Sequence, residues 1–176
     1  MSIKLLKELE DLKQVKNQLS SQMNKHIDIR INQFAVNAFT DFERFFKEKG
    51  FKIQFDEKRI AASYGSLIAN LSYDPSVQYF GIYLKFDLYL QFLDRTTHTI
   101  ALNPTTIDMV SISYEYENQI QKEIAQTRDQ IEKLTSKINN FSEEEWAFFL
   151  QDNNSKSPHS GEIFKSFYDL LDSLIK

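Results

Sequence analysis

The chain has 176 residues, 41% of them hydrophobic, and a formal net charge of -4; this composition is typical of an ordinary globular domain and excludes the collagen-like and highly charged disordered classes. It contains no cysteine, so disulfides, thiolate catalysis and cysteine-based zinc sites are excluded and a reducing compartment is expected. No stretch reaches the roughly 20 apolar residues of a membrane span, and the charged N-terminus does not resemble a signal peptide. We therefore expect a soluble, cytoplasmic protein.

Residues 3–49 carry a helical pattern without glycine or proline, and Gly50 stands where the residue after a helix C-terminus is expected. In the first half, spacings of four and three alternate, which predicts a coiled-coil seam. The seam positions are Leu5, Leu9, Leu12, Lys16, Leu19 and Met23. The second half has a wider apolar stripe and is expected to pack against a core. A strand over residues 27–31 is an alternative, because isoleucines alternate there with Asp28 and Arg30.

Between residues 51 and 114 the apolar period changes to two, which predicts strands. The clearest alternation covers residues 82–92. Other candidate strands are residues 51–56, 60–64, 66–73, 97–102 and 107–114. Short turn-rich connections favour antiparallel pairing with one face toward water, so we expect an antiparallel sheet of about five strands.

The helical period returns at Glu115 and ends at Asn139 and Asn140. Its seam positions are Ile120, Ile124, Thr127, Ile131, Leu134 and Ile138. Ser142 and Glu145 form a capping-box pattern, which predicts a further helix containing Trp146. A polar loop over residues 151–161 and a last amphipathic helix over residues 162–175 complete the chain.

These elements predict an α+β fold with a long N-terminal helix, a central antiparallel sheet, a returning coiled-coil-like helix and C-terminal helices. The expected organisation is an N-terminal helical arm (residues 1–26), an α+β core (27–114), a returning helical arm (115–140) and a C-terminal helical segment (141–176).

The two seams also predict a pairing. If the helices are antiparallel, the polar positions Lys16 and Thr127 meet in one layer, and a buried polar layer commonly defines a register. The same register places His26 beside Glu117. The full set of pairs is Leu5 with Ile138, Leu9 with Leu134, Leu12 with Ile131, Lys16 with Thr127, Leu19 with Ile124, and Met23 with Ile120. Two alternatives are that each stripe packs on the sheet as an ordinary core helix, or that the seams pair between chains.

The sequence predicts no catalytic, metal or cofactor site. The phosphate-loop, dinucleotide-binding, nucleophile-elbow and HExxH motifs are all absent. His26, His98 and His159 have no spacing typical of metal ligands. Charge is not concentrated enough to favour nucleic acid as the partner. The protein is therefore expected not to be an enzyme.

Several amphipathic stripes beside this absence of catalytic motifs favour a non-enzymatic interaction or assembly subunit of a larger, bacterial or phage complex, with a protein partner or a second copy as the expected partner. The candidate partner-binding residues are Tyr83, Lys85, Tyr89, Trp146, Phe149, Phe164 and Phe167. One alternative is an accessory factor associated with nucleic acid in a defence or chromosome-maintenance complex, with contacts from Lys4, Lys7, Lys13, Lys16 and the strand face carrying Tyr83. Another is a metal-dependent enzyme of an unfamiliar type.

Overall fold

The computed structural model describes residues 3–74, 83–93, 97–105, 119–151 and 161–175. They form the α+β fold predicted from the sequence, with a long N-terminal helix, an antiparallel sheet and helices in the C-terminal half. The chain divides into two compact units. The first comprises Met1–Arg30 and Thr106–Glu144, and the second comprises Ile31–Thr105 and Glu145–Lys176.

Three helices and seven strands make up the described part of the chain. In chain order they are α1 (Ile3–Glu48), β1 (Lys52–Asp56), β2 (Arg59–Tyr64), β3 (Leu67–Asp74), β4 (Leu84–Leu90), β5 (Thr97–Pro104), α2 (Gln119–Asn140), β6 (Trp146–Leu150), β7 (Ile163–Phe164) and α3 (Phe167–Leu174). The strands follow one another across a single antiparallel sheet in the order β1 to β7. The sheet thus has seven strands and not five, and the predicted strand at residues 107–114 lies outside the described residues.

Helix α1 ends where the sequence predicts. The N–H of Gly50 donates to the carbonyl of Lys47 at 2.9 Å, and the N–H of Phe51 donates to that of Phe46 at 3.0 Å. Gly50 has a φ of 82°, which glycine adopts without the steric cost that other residues meet. This is a Schellman motif. Upstream, residues 27–31 are helical, so the alternative strand does not form.

The larger part of the core of the second unit lies on one face of the sheet, and a smaller buried cluster of Ala101, Ala147 and Phe149 lies on the other. Along β4 the residues Leu84, Phe86, Leu88 and Leu90 are fully buried, while those between them are half-buried. Phe86 meets Phe148 of β6 and Phe167 of α3, with ring centroids 5.8 and 5.7 Å apart. In the apolar stripe predicted for the second half of α1, Val36 is 63% exposed and five residues are buried: Ile31, Ala38, Phe42, Phe45 and Phe46.

The predicted helix after Ser142 is wrong, because Trp146–Leu150 is strand β6. Its first four residues are all buried. Phe148 pairs with Leu102 of β5 on one face, and Phe149 pairs with Ala101 on the other. A short run that is apolar on both faces has no period to separate strand from helix, and here pairing with β5 decides the outcome. Ile163–Phe164 then joins the sheet as β7, so the last helix begins only at Phe167.

The N-terminus of α3 is held by side chains from two elements. Ser166 is the N-cap, and its Oγ accepts the N–H of Asp169 at 3.1 Å. Asp41 of α1 accepts the N–H of Tyr168 at 3.2 Å. The phenol of Tyr168 donates to Glu48 at 2.7 Å, and the guanidinium of Arg44 lies 4.5 Å from its ring centroid. Two of the backbone donors that a helix start leaves unsatisfied are therefore bound.

Loss of the Ser166 cap is expected to destabilise the protein. Ser166→Ala removes the acceptor for the N–H of Asp169 and should lower the free energy of unfolding by about 1 kcal/mol, measured by urea denaturation. Lys165→Ala at the preceding exposed position should change it by less than about 0.5 kcal/mol. Equal effects of the two substitutions would show that the cap does not contribute.

Tyr168 is expected to titrate late. Its hydrogen bond to Glu48, followed by burial, raises the pKa of the phenol from the ordinary value of 10.0. Because the folded state favours the neutral phenol, this contribution to stability is present below that ordinary value and is lost as the pH rises through the raised pKa. The tyrosinate absorbance of the wild type minus that of Tyr168→Phe should show a midpoint above the ordinary value, and Glu48→Gln should lower it. A midpoint at or below that value would refute the assignment.

Candidate functional site

Contacts within the first unit show that α1 and α2 are parallel. Moving along α1 toward its C-terminus, Glu8 binds Arg128, Lys16 binds Gln130, and the ring of His26 lies 5.6 Å from that of Phe141. With Lys13 and Glu123 included, the partner's number exceeds that of the α1 residue by 110 to 120 throughout, as parallel helices require. Arg30 continues this order, because its guanidinium lies 4.7 Å from the Phe141 ring and donates to the carbonyl of Glu144 at 2.7 Å. The predicted antiparallel register is therefore wrong.

The parallel arrangement aligns the two predicted seams. Phe141 is 115 positions after its contact residue His26, and the same offset relates every seam position of α1 to one of α2. At this offset the expected pairs are Leu5 with Ile120, Leu9 with Ile124, Leu12 with Thr127, Lys16 with Ile131, Leu19 with Leu134, and Met23 with Ile138. The assignment of these residues to a seam stays a prediction from the heptad spacing, and the observed contacts change the partners expected along it. Glu117, the predicted neighbour of His26, lies outside the described residues.

Lys16 and Thr127, the two polar residues at seam positions, each form a hydrogen bond, but not with each other. Thr127 is buried, and its hydroxyl donates to the carbonyl of Glu123 one turn earlier at 2.7 Å. Lys16 is half-buried and extends its Nζ to Oε1 of Gln130 at 3.4 Å. A hydroxyl that bonds its own helix needs no polar partner across the seam. The coincidence of polar layers was therefore no guide to the register.

Charges beside the seam favour the parallel direction. Glu8 pairs with Arg128, and Lys13 pairs with Glu123 at 3.9 Å. These residues flank the seam as the e and g positions of the heptad, where interhelical ion pairs set orientation. In the antiparallel register Glu8 would face Thr135 and Lys13 would face Gln130, so neither pair would form. Each exposed pair contributes only about 0.2–1 kcal/mol, but both act in the same direction.

Most of the seam remains partly exposed to solvent. Among the seam residues Leu9, Ile124 and Thr127 are buried, with exposures of 6%, 7% and 6%. The others are half-buried: Leu5, Leu12, Lys16, Leu19, Met23, Ile120, Ile131, Leu134 and Ile138. Two helices bury one line of side chains and leave the flanks of that line open. Apolar surface therefore remains available on either side of the seam.

Two grooves follow these flanks. The one that we call the basic groove, of about 650 Å³, has Leu134 in its lining together with Lys16, Lys133 and Lys137. The other, of about 420 Å³, is lined by Leu5 and Ile124 and by the carboxylates of Glu8, Asp129 and Glu132, with Arg128 as its cation. The grooves thus differ in the sign of their charge. Lys133 and Lys137 were not identified from the sequence, although their position beside the predicted seam could have indicated them.

The predicted sheet-face residues Tyr83, Lys85 and Tyr89 are half-buried. Tyr83 precedes β4, and its ring lies 4.8 Å from that of Trp146. Lys85 pairs with Asp87 at 3.0 Å on the same strand. The charge of Lys85 is therefore partly neutralised. Lys85 lies on the strand face carrying Tyr83, which is the nucleic-acid contact in the alternative prediction.

The other four predicted partner-binding residues lie in or beside the core of the second unit. Trp146, Phe149 and Phe167 are buried, with exposures of 7%, 2% and 0%. Phe164 is half-buried in β7 and pairs with Phe148. Their aromatic rings stabilise the sheet and α3. In the free chain, the three buried rings present almost no surface to a partner.

Two further absences concern the described residues. No group of three or more His, Asp or Glu side chains there could hold a metal ion, and His159 lies outside these residues. No helix of the described ranges is long and apolar enough to cross a membrane. Comparison with known proteins found no matching family model, curated protein or solved structure.

The helix direction predicts which engineered cysteines cross-link. Leu19 and Leu134 are level in the parallel pair, whereas the antiparallel register pairs Leu19 with Ile124. These alternatives differ by ten residues, or about 15 Å along the helix, which is beyond the reach of a disulfide. Because the natural chain has no cysteine, Leu19→Cys with Leu134→Cys should oxidise to an intramolecular disulfide and Leu19→Cys with Ile124→Cys should not. The reverse result on a non-reducing gel would refute the parallel arrangement.

Proposed function

We propose that the protein is a non-enzymatic interaction or assembly subunit, and that α1 and α2 form a parallel coiled coil that holds a helix of a partner protein in the basic groove. The observation that supports this most directly is that Leu134, a seam residue, remains half-buried in a groove whose charges are lysines. A third helix there would cover the seam flank that two helices leave open. An amphipathic helix lying in an apolar groove is a common mode of recognition.

The charges of the groove define the chemistry of the partner. Lys16, Lys133 and Lys137 lie around the apolar lining, and Lys133 also pairs with Asp129 at 2.8 Å. A fitting helix carries an apolar stripe for Leu134 and acidic residues on the flanks of that stripe. Complementary charge of this kind raises the association rate and selects the orientation of the bound helix.

Association with nucleic acid has weaker support. Of the lysines proposed for that role, Lys13 pairs with Glu123 and Lys16 binds Gln130. On the strand face, Asp87 lies next to Lys85. A phosphate backbone needs a dense set of cations that can replace its counterions, and the lysines at the start of α1 are interspersed with Glu8, Glu10 and Asp11.

A photo-crosslinking amino acid in the groove tests this function. We expect the probe at Ser20, which lines the basic groove, to attach in the native host to one protein segment with an apolar stripe and acidic flanks. The same probe at Gln14, an exposed position outside the groove lining, should not attach to it. Lys137→Glu should reduce the yield about fivefold, equivalent to about 1 kcal/mol.

Lys122→Glu is the matched control, because it makes the same change of charge at an exposed position of α2 outside the groove lining. It should leave the yield unchanged. Three results would contradict the proposal: identical products from Ser20 and Gln14, attachment of the Ser20 probe to nucleic acid, or equal losses from Lys122→Glu and Lys137→Glu.

A further inference from the structure

Strand β1 forms one edge of the sheet. Among the described strands it pairs with β2 alone, and four of its five residues are exposed. Phe55 is 60% exposed, which is high for a phenylalanine in a strand. An open edge of this kind is a template for pairing with another strand, and natural proteins commonly protect such edges.

The turn after β1 determines which backbone groups face outward. Asp56 pairs with Arg59 across the two-residue turn of Glu57 and Lys58. A two-residue hairpin closes on a hydrogen-bonded pair, and such pairs alternate along the ladder. Lys52, Gln54 and Asp56 therefore bond toward β2. The N–H and C=O groups of Ile53 and Phe55 point to the open edge.

The side chains of β1 are complementary to themselves when the strand is reversed. With Gln54 opposite Gln54 of a second copy, Lys52 faces Asp56 and Ile53 faces Phe55, and each of these two pairs occurs twice. The Lys52 and Asp56 pairs lie on one face of the sheet and the Ile53 and Phe55 pairs on the other. Opposite charges and apolar groups directly across a ladder are the favourable cross-strand pairs.

We propose that a second copy of this chain binds at this edge, with the two β1 strands antiparallel about Gln54. The register also matches the backbone. Ile53 and Phe55, whose polar groups face outward, are opposite each other, so the two strands exchange four hydrogen bonds. The exposed ring of Phe55 is then covered by Ile53 of the second copy. One short strand from each chain makes a small interface, so the dimer is weak and depends on concentration.

This dimer uses the edge of the second unit, and the basic groove belongs to the first unit. The proposal is therefore independent of the proposed function. The lining of the groove and strand β1 have no residue in common, so variants in β1 leave that lining unchanged.

Charge exchange at the edge tests the proposal by analytical ultracentrifugation. The wild type should show a monomer–dimer equilibrium in a series reaching about 1 mM. Lys52→Glu alone places acids opposite each other, and Asp56→Lys alone places lysines opposite each other, so each should weaken dimerisation at least about tenfold. A mixture of the two variants restores both ion pairs and should form the heterodimer. Lys58→Glu, the same charge change in the turn, should behave as the wild type.

A cysteine on the twofold axis tests the register. Gln54 opposite Gln54 is a non-hydrogen-bonded pair with Cα atoms about 4.5 Å apart, a distance that a disulfide can bridge. Gln54→Cys should therefore oxidise to a covalent dimer much faster than Ser63→Cys, which lies on β2. Three results would overturn the proposal: a wild type that stays monomeric throughout the series, a mixture that forms no heterodimer, or equal oxidation rates of the two cysteine variants. The first result would indicate that the edge pairs with a strand of another protein.

Discussion

The pairing of α1 with α2 along a single seam is the interaction on which the first unit depends. The regular elements in the described part of this unit are the first part of α1 and α2, which contact each other through Glu8 with Arg128 and through Lys16 with Gln130. Isolated helices are marginally stable in water, and packing of an apolar stripe supplies most of the missing stability. At the offset of 115 residues the two predicted seams coincide, and Leu9 and Ile124, at the second of the six levels, are buried.

Packing of only two described helices also explains why this unit has partly exposed apolar surface that a partner could cover. Two helices cannot enclose a seam, so Leu134 and its neighbours stay half-buried beside lysines on one side and carboxylates on the other. The second unit buries its apolar side chains between helices and a sheet. Phenylalanines of the second half of α1 and of α3 pack in the core of this unit, and Trp146 and Phe167, two of the predicted partner-binding residues, are buried there. This sheet has two edges, the five-residue strand β1 and the two-residue strand β7, and β1 is the longer of the two.

The features that repeat locally could be predicted from the sequence. The end of α1 at Gly50 and the first five strands follow from glycine placement and from a period of two, and the two seams stay a prediction from the alternation of three and four. The direction of the helix pair could not be predicted from the same signal, because a heptad pattern can be aligned in either direction. Glu8 with Arg128 and Lys13 with Glu123 carry the directional information, and the apparent match of Lys16 with Thr127 pointed the other way. Strand β6 was missed because its identity depends on β5, which is distant in the sequence.

The two proposed surfaces have a combined consequence. Each copy of the chain carries one basic groove, so a dimer joined at β1 carries two. A partner with two suitable helices, or an assembly with repeated copies of one helix, would then be bound more tightly than either groove alone can achieve. Weak pairing at the edge is compatible with this role, since the partner itself would hold the two copies together.

The parallel helix pair is the central claim, and distances between spin labels measured by pulsed electron paramagnetic resonance test it most directly. Lys7, Lys122 and Ser136 are exposed and occupy equivalent outward positions of the heptad, and Lys122 and Ser136 are about 21 Å apart along α2. In the parallel arrangement Lys7 is level with Lys122, so the distance from Lys7 to Lys122 should be shorter than the distance from Lys7 to Ser136. The opposite order would contradict the account.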